Sequence, residues 1–161
     1  MAKKFKTNAL RMLDKAKIPY SIKEYEYDEE HLDGRHVASQ VDMDPNAIFK
    51  TLVLHDHHNE HLVCCVPVLE EIDLKKLAKL AGRKSVEMIH QKDLLSVTGY
   101  IRGGCSPVGM KKQFPTYIDE SILKVDEVAF SAGKRGYQMI VNVQQILTYL
   151  NVEEVGDIIR K

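Results

Sequence analysis

The segment that most constrains this chain is a pair of apolar runs, IFKTLVLH at 48–55 and HLVCCVPVL at 61–69, separated by the polar DHHNE. Both runs have strand length and are rich in β-branched and aliphatic residues, so they predict an antiparallel hairpin. Strand alternation sends Cys64 and Cys65 to opposite faces. With three cysteines in all, an odd number, a disulfide framework is not indicated, and they read as reduced, buried or half-buried thiols.

Other elements gather around this hairpin. Thr7 caps a helix that carries Leu10, Leu13 and Ala16 on one side and ends before Pro19. YSIKEYEYD reads as a strand, and GRHVASQVDM as a helix that stops near Asp44, with Pro45 in the first turn of a short successor. Asp73 caps LKKLAKLA, and Gly82 follows its last apolar position. SVEMI, GYIRG and PTYID read as strands and KDLLSV as a short helix; EVAFS and YQMIVNV form two more strands around a glycine-bounded turn, before a helix VQQILTYL started by Asn142. About seven strands with four or five helices, and hairpins more evident than βαβ units, predict an α+β fold with a mixed, mainly antiparallel sheet.

At 161 residues and 44% hydrophobic content the chain suits one core, so 1–161 is expected to be a single unit. Lys plus Arg and Asp plus Glu both number 23, so no overall field draws the chain to DNA or a membrane, and nucleic-acid contacts must come from local patches. The basic N-terminal residues precede no apolar leader core, and no run reaches membrane-spanning length, so a soluble cytoplasmic protein is expected.

Four places offer chemistry. The histidines of HDHHNEH (55–61) suit a metal by residue type, but alternation on a hairpin makes them diverge; a solvated turn is the better reading and no metal site is expected. TGYIRGGCSPVGMKK (98–112) lacks both nucleotide-loop glycine spacings. Cys105 as a nucleophile needs a cation or imidazole, and only the sequence-distant His36 or His90 offers one. Gly103 and Gly104 either present backbone amides to a developing oxyanion or simply make a turn before Pro107. Lys50 interrupts an apolar strand, and its residue type alone favours a snorkelling edge lysine over one aimed into a cleft. In SAGKRG (131–136), Ser131 is either a strand residue or a ligand donor, and Lys134 and Arg135 either an exposed turn or a phosphate contact.

Together FKTLV at 49–53, TGYIRGGCSPVGMKK and SAGKRG, with KIPY, DLKKLAKLAG and VEM in the same order, closely resemble the YbaK/EbsC family of Cys-tRNA(Pro) deacylases over nearly the whole chain. The resemblance implies the fold of the editing domain inserted in some prolyl-tRNA synthetases and hydrolysis of cysteine wrongly attached to proline tRNA, without a cofactor. It carries functional roles onto Lys50, Gly103 with Gly104, and Ser131. Tyr25 becomes a pocket residue, with Thr51, Cys105, Ser106, Lys134 and Arg135 as further substrate contacts. In such enzymes the substrate's own thiol attacks its ester, so the protein orients and stabilises charge. The implied partners are aminoacyl-tRNA and prolyl-tRNA synthetase. Two departures stand out: Gln138 replaces an acidic residue of some relatives, and Cys105 replaces an aliphatic one, a thiol that oxidation would modulate if accessible. A related domain acting on Ala-tRNA(Pro) or on another small amino acid, or a silent tRNA- or synthetase-binding module, is the alternative.

Overall fold

The computed structural model describes residues 6–26 and 39–161. Eight strands are present among them: β1 Tyr20–Glu24, β2 Phe49–Asp56, β3 His61–Pro67, β4 Val86–Met88, β5 Thr116–Asp119, β6 Glu127–Ser131, β7 Tyr137–Asn142 and β8 Glu154–Gly156. The hairpin forms as expected, with β2 and β3 antiparallel from Phe49–Pro67 to His55–His61. Its turn is held by the buried Asp56 carboxylate, which accepts from the His58 and Glu60 amides at 2.8 and 2.9 Å and from the Arg83 guanidinium.

The strands form two sheets, β1-β7-β6 and β4-β2-β3-β5-β8. Pairing is antiparallel except for β3 with β5 and β5 with β8, so the mixed, mainly antiparallel expectation holds. Two details differ. The short strand β8 was not foreseen, because it is defined by a parallel partner far away in sequence rather than by its own pattern. GYIRG is not a strand: Gly99 and Gly103 have φ of +88° and +87°, a left-handed conformation that breaks extension.

Helix ends follow local chemistry. The Thr7 hydroxyl accepts from the Leu10 amide at 3.2 Å and starts the helix Asn8–Lys15, which buries Ala9, Leu10 and Leu13. Asp73 caps Leu74–Ala81 through the amides of Lys75 and Lys76, and Gly82 ends it at φ +68°. Asn142 caps Val143–Leu150. Each such cap is worth about 1 kcal/mol. The helix read over 34–43 falls largely outside the described residues; those from 39 to 41 are helical.

Alternation divides the interior. Phe49, Cys65, Phe130 and Met139 face one cluster with the helices at either end of the chain, whereas Leu54, Cys64 and Val66 face the helix Leu74–Ala81. Adjacent cysteines thus fill different cores, both fully buried. A third cluster, Ile48, Ala129, Ile140 and Val41 with Tyr25, Met43 and Val68 against it, covers the junction of the two sheets.

Candidate active site at a fork in the sheet

The two sheets meet at one parallel bridge, Ile48 to Ala129. Since β3 occupies the other edge of β2, both β6 and β4 must approach the remaining edge, β6 at Ile48 and β4 at Leu54 to Asp56. Between these contacts the edge opens into a fork. Lys50 lies there, two residues past the bridge, on the face that carries Ile48 of one apolar cluster and Leu52 and Leu54 of another. Its half-buried side chain borders a hollow with Leu52, Glu71, Ile72, Leu74, Met88 and Arg160. Burial pulls the Lys50 pKa below the ordinary lysine value, opposed chiefly by the Glu71 carboxylate.

Ser131 lies two residues past Ala129 in a strand running parallel to β2, which puts it level with Lys50 across the fork. The intervening pair confirms the adjacency, since the Phe49 and Phe130 rings pack edge to face with centroids 6.2 Å apart on the opposite surface. Gln138 is the cross-strand partner of Ser131. The residue is buried, and its Oε1 has no hydrogen-bond partner among the described residues. A buried acceptor of this kind costs about 1–3 kcal/mol while it stays unpaired. In the sequence Gln138 is only a departure from relatives; its buried oxygen is a property of the folded sheet.

The glycine loop is docked on the SAGKRG turn. A Cβ on Gly104 would stand 3.1 Å from the Arg135 nitrogen and 3.4 Å from the Lys134 Cα, so glycine is needed there for space. The Arg135 Nε donates to the Arg102 carbonyl at 2.8 Å. The Tyr25 hydroxyl faces the Gly103 carbonyl at 3.4 Å, its amide donates to Gly136 at 2.8 Å, and its ring packs on the cluster containing Ile48 and Ala129. Tyr25, Gly103, Gly104, Lys134 and Arg135 are therefore brought together, beside the face that carries Lys50 and Ser131. The expectation of paired glycine amides changes in one respect: Gly104 donates to Ile101 at 2.9 Å, whereas the exposed Gly103 N–H has no partner among the described residues.

Three expected substrate contacts point elsewhere. Thr51 lies on the opposite face of β2 from Lys50, its hydroxyl 3.7 Å from the Cys65 sulfur. Ser106 is fully buried and accepts from the Val108 amide at 3.2 Å, which makes it a brace for the loop. Cys105 is half-buried; burial pushes its thiol up to about 12, against a hydrogen bond with Thr98 that lowers it. Such a thiol is a poor nucleophile at neutral pH. His90 is exposed at the start of a short turn, and His36 lies outside the described residues. Tyr100, which sequence reading passed over, donates to the Val108 carbonyl at 2.6 Å and packs its ring against Gly133, pinning the loop to the turn. The His57 and His58 rings meet at a tilt of 43° at the exposed tip of the β2–β3 turn, with centroids 4.1 Å apart.

The chain belongs to the aminoacyl-tRNA editing domain family, whose profile matches residues 31–149. It is 48% identical over 146 residues to an Enterococcus faecalis protein provisionally named Cys-tRNA(Pro)/Cys-tRNA(Cys) deacylase EbsC, a match that covers 91% of this chain and 89% of that one. Among solved structures, a protein provisionally described as a trans-editing enzyme for prolyl tRNA synthetase superposes with a TM-score of 0.79 at 22% identity, covering 95% of this chain and 93% of its own. A hypothetical protein superposes at 0.85 with 16% identity, covering 96% and 100%. At those identities the two solved structures speak for the fold alone.

Proposed function

We propose that this chain is a trans-editing hydrolase that clears cysteine from Cys-tRNA(Pro), in the cytoplasm where tRNA is charged, with help from prolyl-tRNA synthetase. The observation that carries the reading is the level placement of a half-buried cation, Lys50, and Ser131 across the fork, with the Gly103 amide, which has no partner among the described residues, in the adjoining loop. The same elements offer charge stabilisation and orientation, while burial holds both the Cys64 thiol, which interacts with Lys50, and the Cys105 thiol of the loop in their neutral forms. A site built this way suits a substrate that brings its own nucleophile.

In the proposed reaction the cysteine thiol gives its proton to solvent, and its sulfur attacks the ester carbonyl carbon. A C–S bond forms, the C–O bond to the terminal ribose breaks, and the ribose oxygen leaves as a hydroxyl after taking a proton. Water then opens the thiolactone to free cysteine. The Gly103 N–H holds the carbonyl oxygen as charge develops on it, and the Lys50 ammonium lies near the leaving oxygen. The Ser131 hydroxyl and Gln138 Oε1 receive the substrate's α-ammonium.

Selectivity follows from the chemistry. Packing alone separates side chains that differ by one small group only about 10- to 200-fold. A required thiol spares proline because proline has none. Proline tRNA charged with S-methylcysteine tests this directly: its cleavage should be at background, whereas cleavage at the rate of the cysteine ester would show that water is the attacking group.

A further inference from the structure

We infer that Arg135 is a positioning residue that sets the direction of the Gly103 N–H, and that it does so through the Arg102 carbonyl rather than by binding phosphate. The inference rests on the proposed deacylase reading and assigns how the Gly103 amide that it uses is aimed.

Residues 101–104 form a β-turn closed by the Gly104 amide donating to Ile101 at 2.9 Å. Gly103 has φ +87° while Arg102 is not in the positive-φ region, the combination that defines a type II turn. The Arg102 carbonyl and the Gly103 N–H belong to one planar trans peptide and point in opposite directions. A type I turn keeps the same closing hydrogen bond but has this peptide rotated by about half a turn, and glycine in third place tolerates both conformations. The closing bond therefore does not choose which way the Gly103 N–H points.

The choice falls to whatever holds the Arg102 carbonyl, and the Arg135 Nε donates to it at 2.8 Å. Gly104 lies against the Lys134–Arg135 backbone, so the guanidinium starts from a fixed platform. Tyr25 faces the carbonyl on the far side of Gly103 at 3.4 Å, a longer and weaker restraint. Arg135 is thus the stronger clamp, and it sends the Gly103 N–H away from itself.

Steady-state deacylation of Cys-tRNA(Pro) by the full chain, comparing wild type with Arg135→Ala and Arg135→Gln, separates positioning from phosphate contact. Positioning predicts a fall in kcat of about 100-fold, the scale of losing one oxyanion donor, with KM nearly unchanged and partial rescue by added guanidinium ion. A rise in KM with kcat intact, and a salt-dependence slope smaller by about 0.7, would assign Arg135 to a phosphate and overturn the inference. Nuclear Overhauser spectra of the same proteins decide the point even if wild type cleaves no ester. Positioning predicts that the strong Arg102 Hα to Gly103 HN cross-peak of the type II turn weakens in Arg135→Ala, in favour of a cross-peak between the two amide protons. An unchanged pattern in both folded variants would refute the clamp.

Discussion

Lys50 and Ser131 stand level across the fork because each follows by two residues the bridge that joins the sheets, Ile48 to Ala129. The register makes the pair a property of the sheet junction rather than of either strand. Lys50→Ala should cut kcat by about 100- to 1,000-fold, as expected for removal of one charge-stabilising group, with the melting temperature unchanged or raised because the lysine is partly desolvated. Single-turnover kinetics on Cys-tRNA(Pro) check the first part and thermal unfolding the second.

The two loop glycines should respond differently to alanine. At Gly103, φ +87° costs alanine about 1–2 kcal/mol and favours the other turn, so activity should fall much more than stability. At Gly104, a Cβ 3.1 Å from the Arg135 nitrogen pushes the loop off its platform, so stability should fall by about 1–3 kcal/mol along with activity. Denaturant unfolding beside initial rates tests the contrast.

Gln138→Leu should move stability and activity in opposite directions. Removing a buried acceptor that lacks a partner among the described residues relieves a penalty of about 1–3 kcal/mol, so the melting temperature should rise. Losing a hydrogen bond to the substrate's ammonium, worth about 1.5–3 kcal/mol, should lower kcat/KM by at least roughly tenfold. A Leu variant that keeps full kcat/KM would remove Gln138 from the site.

How much of this was legible beforehand depends on how local each cause is. The hairpin, the Thr7, Asp73 and Asn142 caps and the Gly82 stop were legible because a few adjacent residues determine them. GYIRG misled because its aromatic and β-branched composition suits a strand, while the positive φ of Gly99 and Gly103 rules one out. Lys50, Gly103 and Ser131 were flagged by resemblance, but the level placement of Lys50 and Ser131 depends on a bridge between residues 81 positions apart. The inward turn of Thr51, Cys105 and Ser106 was equally hidden, since it follows from which face each residue takes against distant neighbours.

Cys105→Ala should retain most of the deacylation rate with an unchanged pH profile. Its thiol, pushed up to about 12 by burial, stays protonated throughout an assay between pH 6 and about 9, so its ionisation contributes nothing there. Alkylation by iodoacetamide should be slow in the folded protein and fast after denaturation. Rapid alkylation of native Cys105, with loss of turnover, would contradict the assignment.

Acid stability should depend on Asp56. Burial raises its pKa, but the Glu60 amide, the Arg83 guanidinium and the His58 amide together outweigh burial and hold it at about 2. An unfolded aspartate titrates near 3.9, so the stabilisation is complete above that value and is lost as pH falls from about 4 through about 2. Asp56→Asn should be less stable at neutral pH and lose less on acidification. Thermal unfolding measured from pH 7 down to 2 checks the slope.

The central claim is tested most directly by incubating the purified protein with proline tRNA charged with cysteine, alanine or proline, with Lys50→Ala alongside. The account predicts release of cysteine alone, lost in the variant. Release of alanine in preference to cysteine, or no release from any of the three, would contradict it.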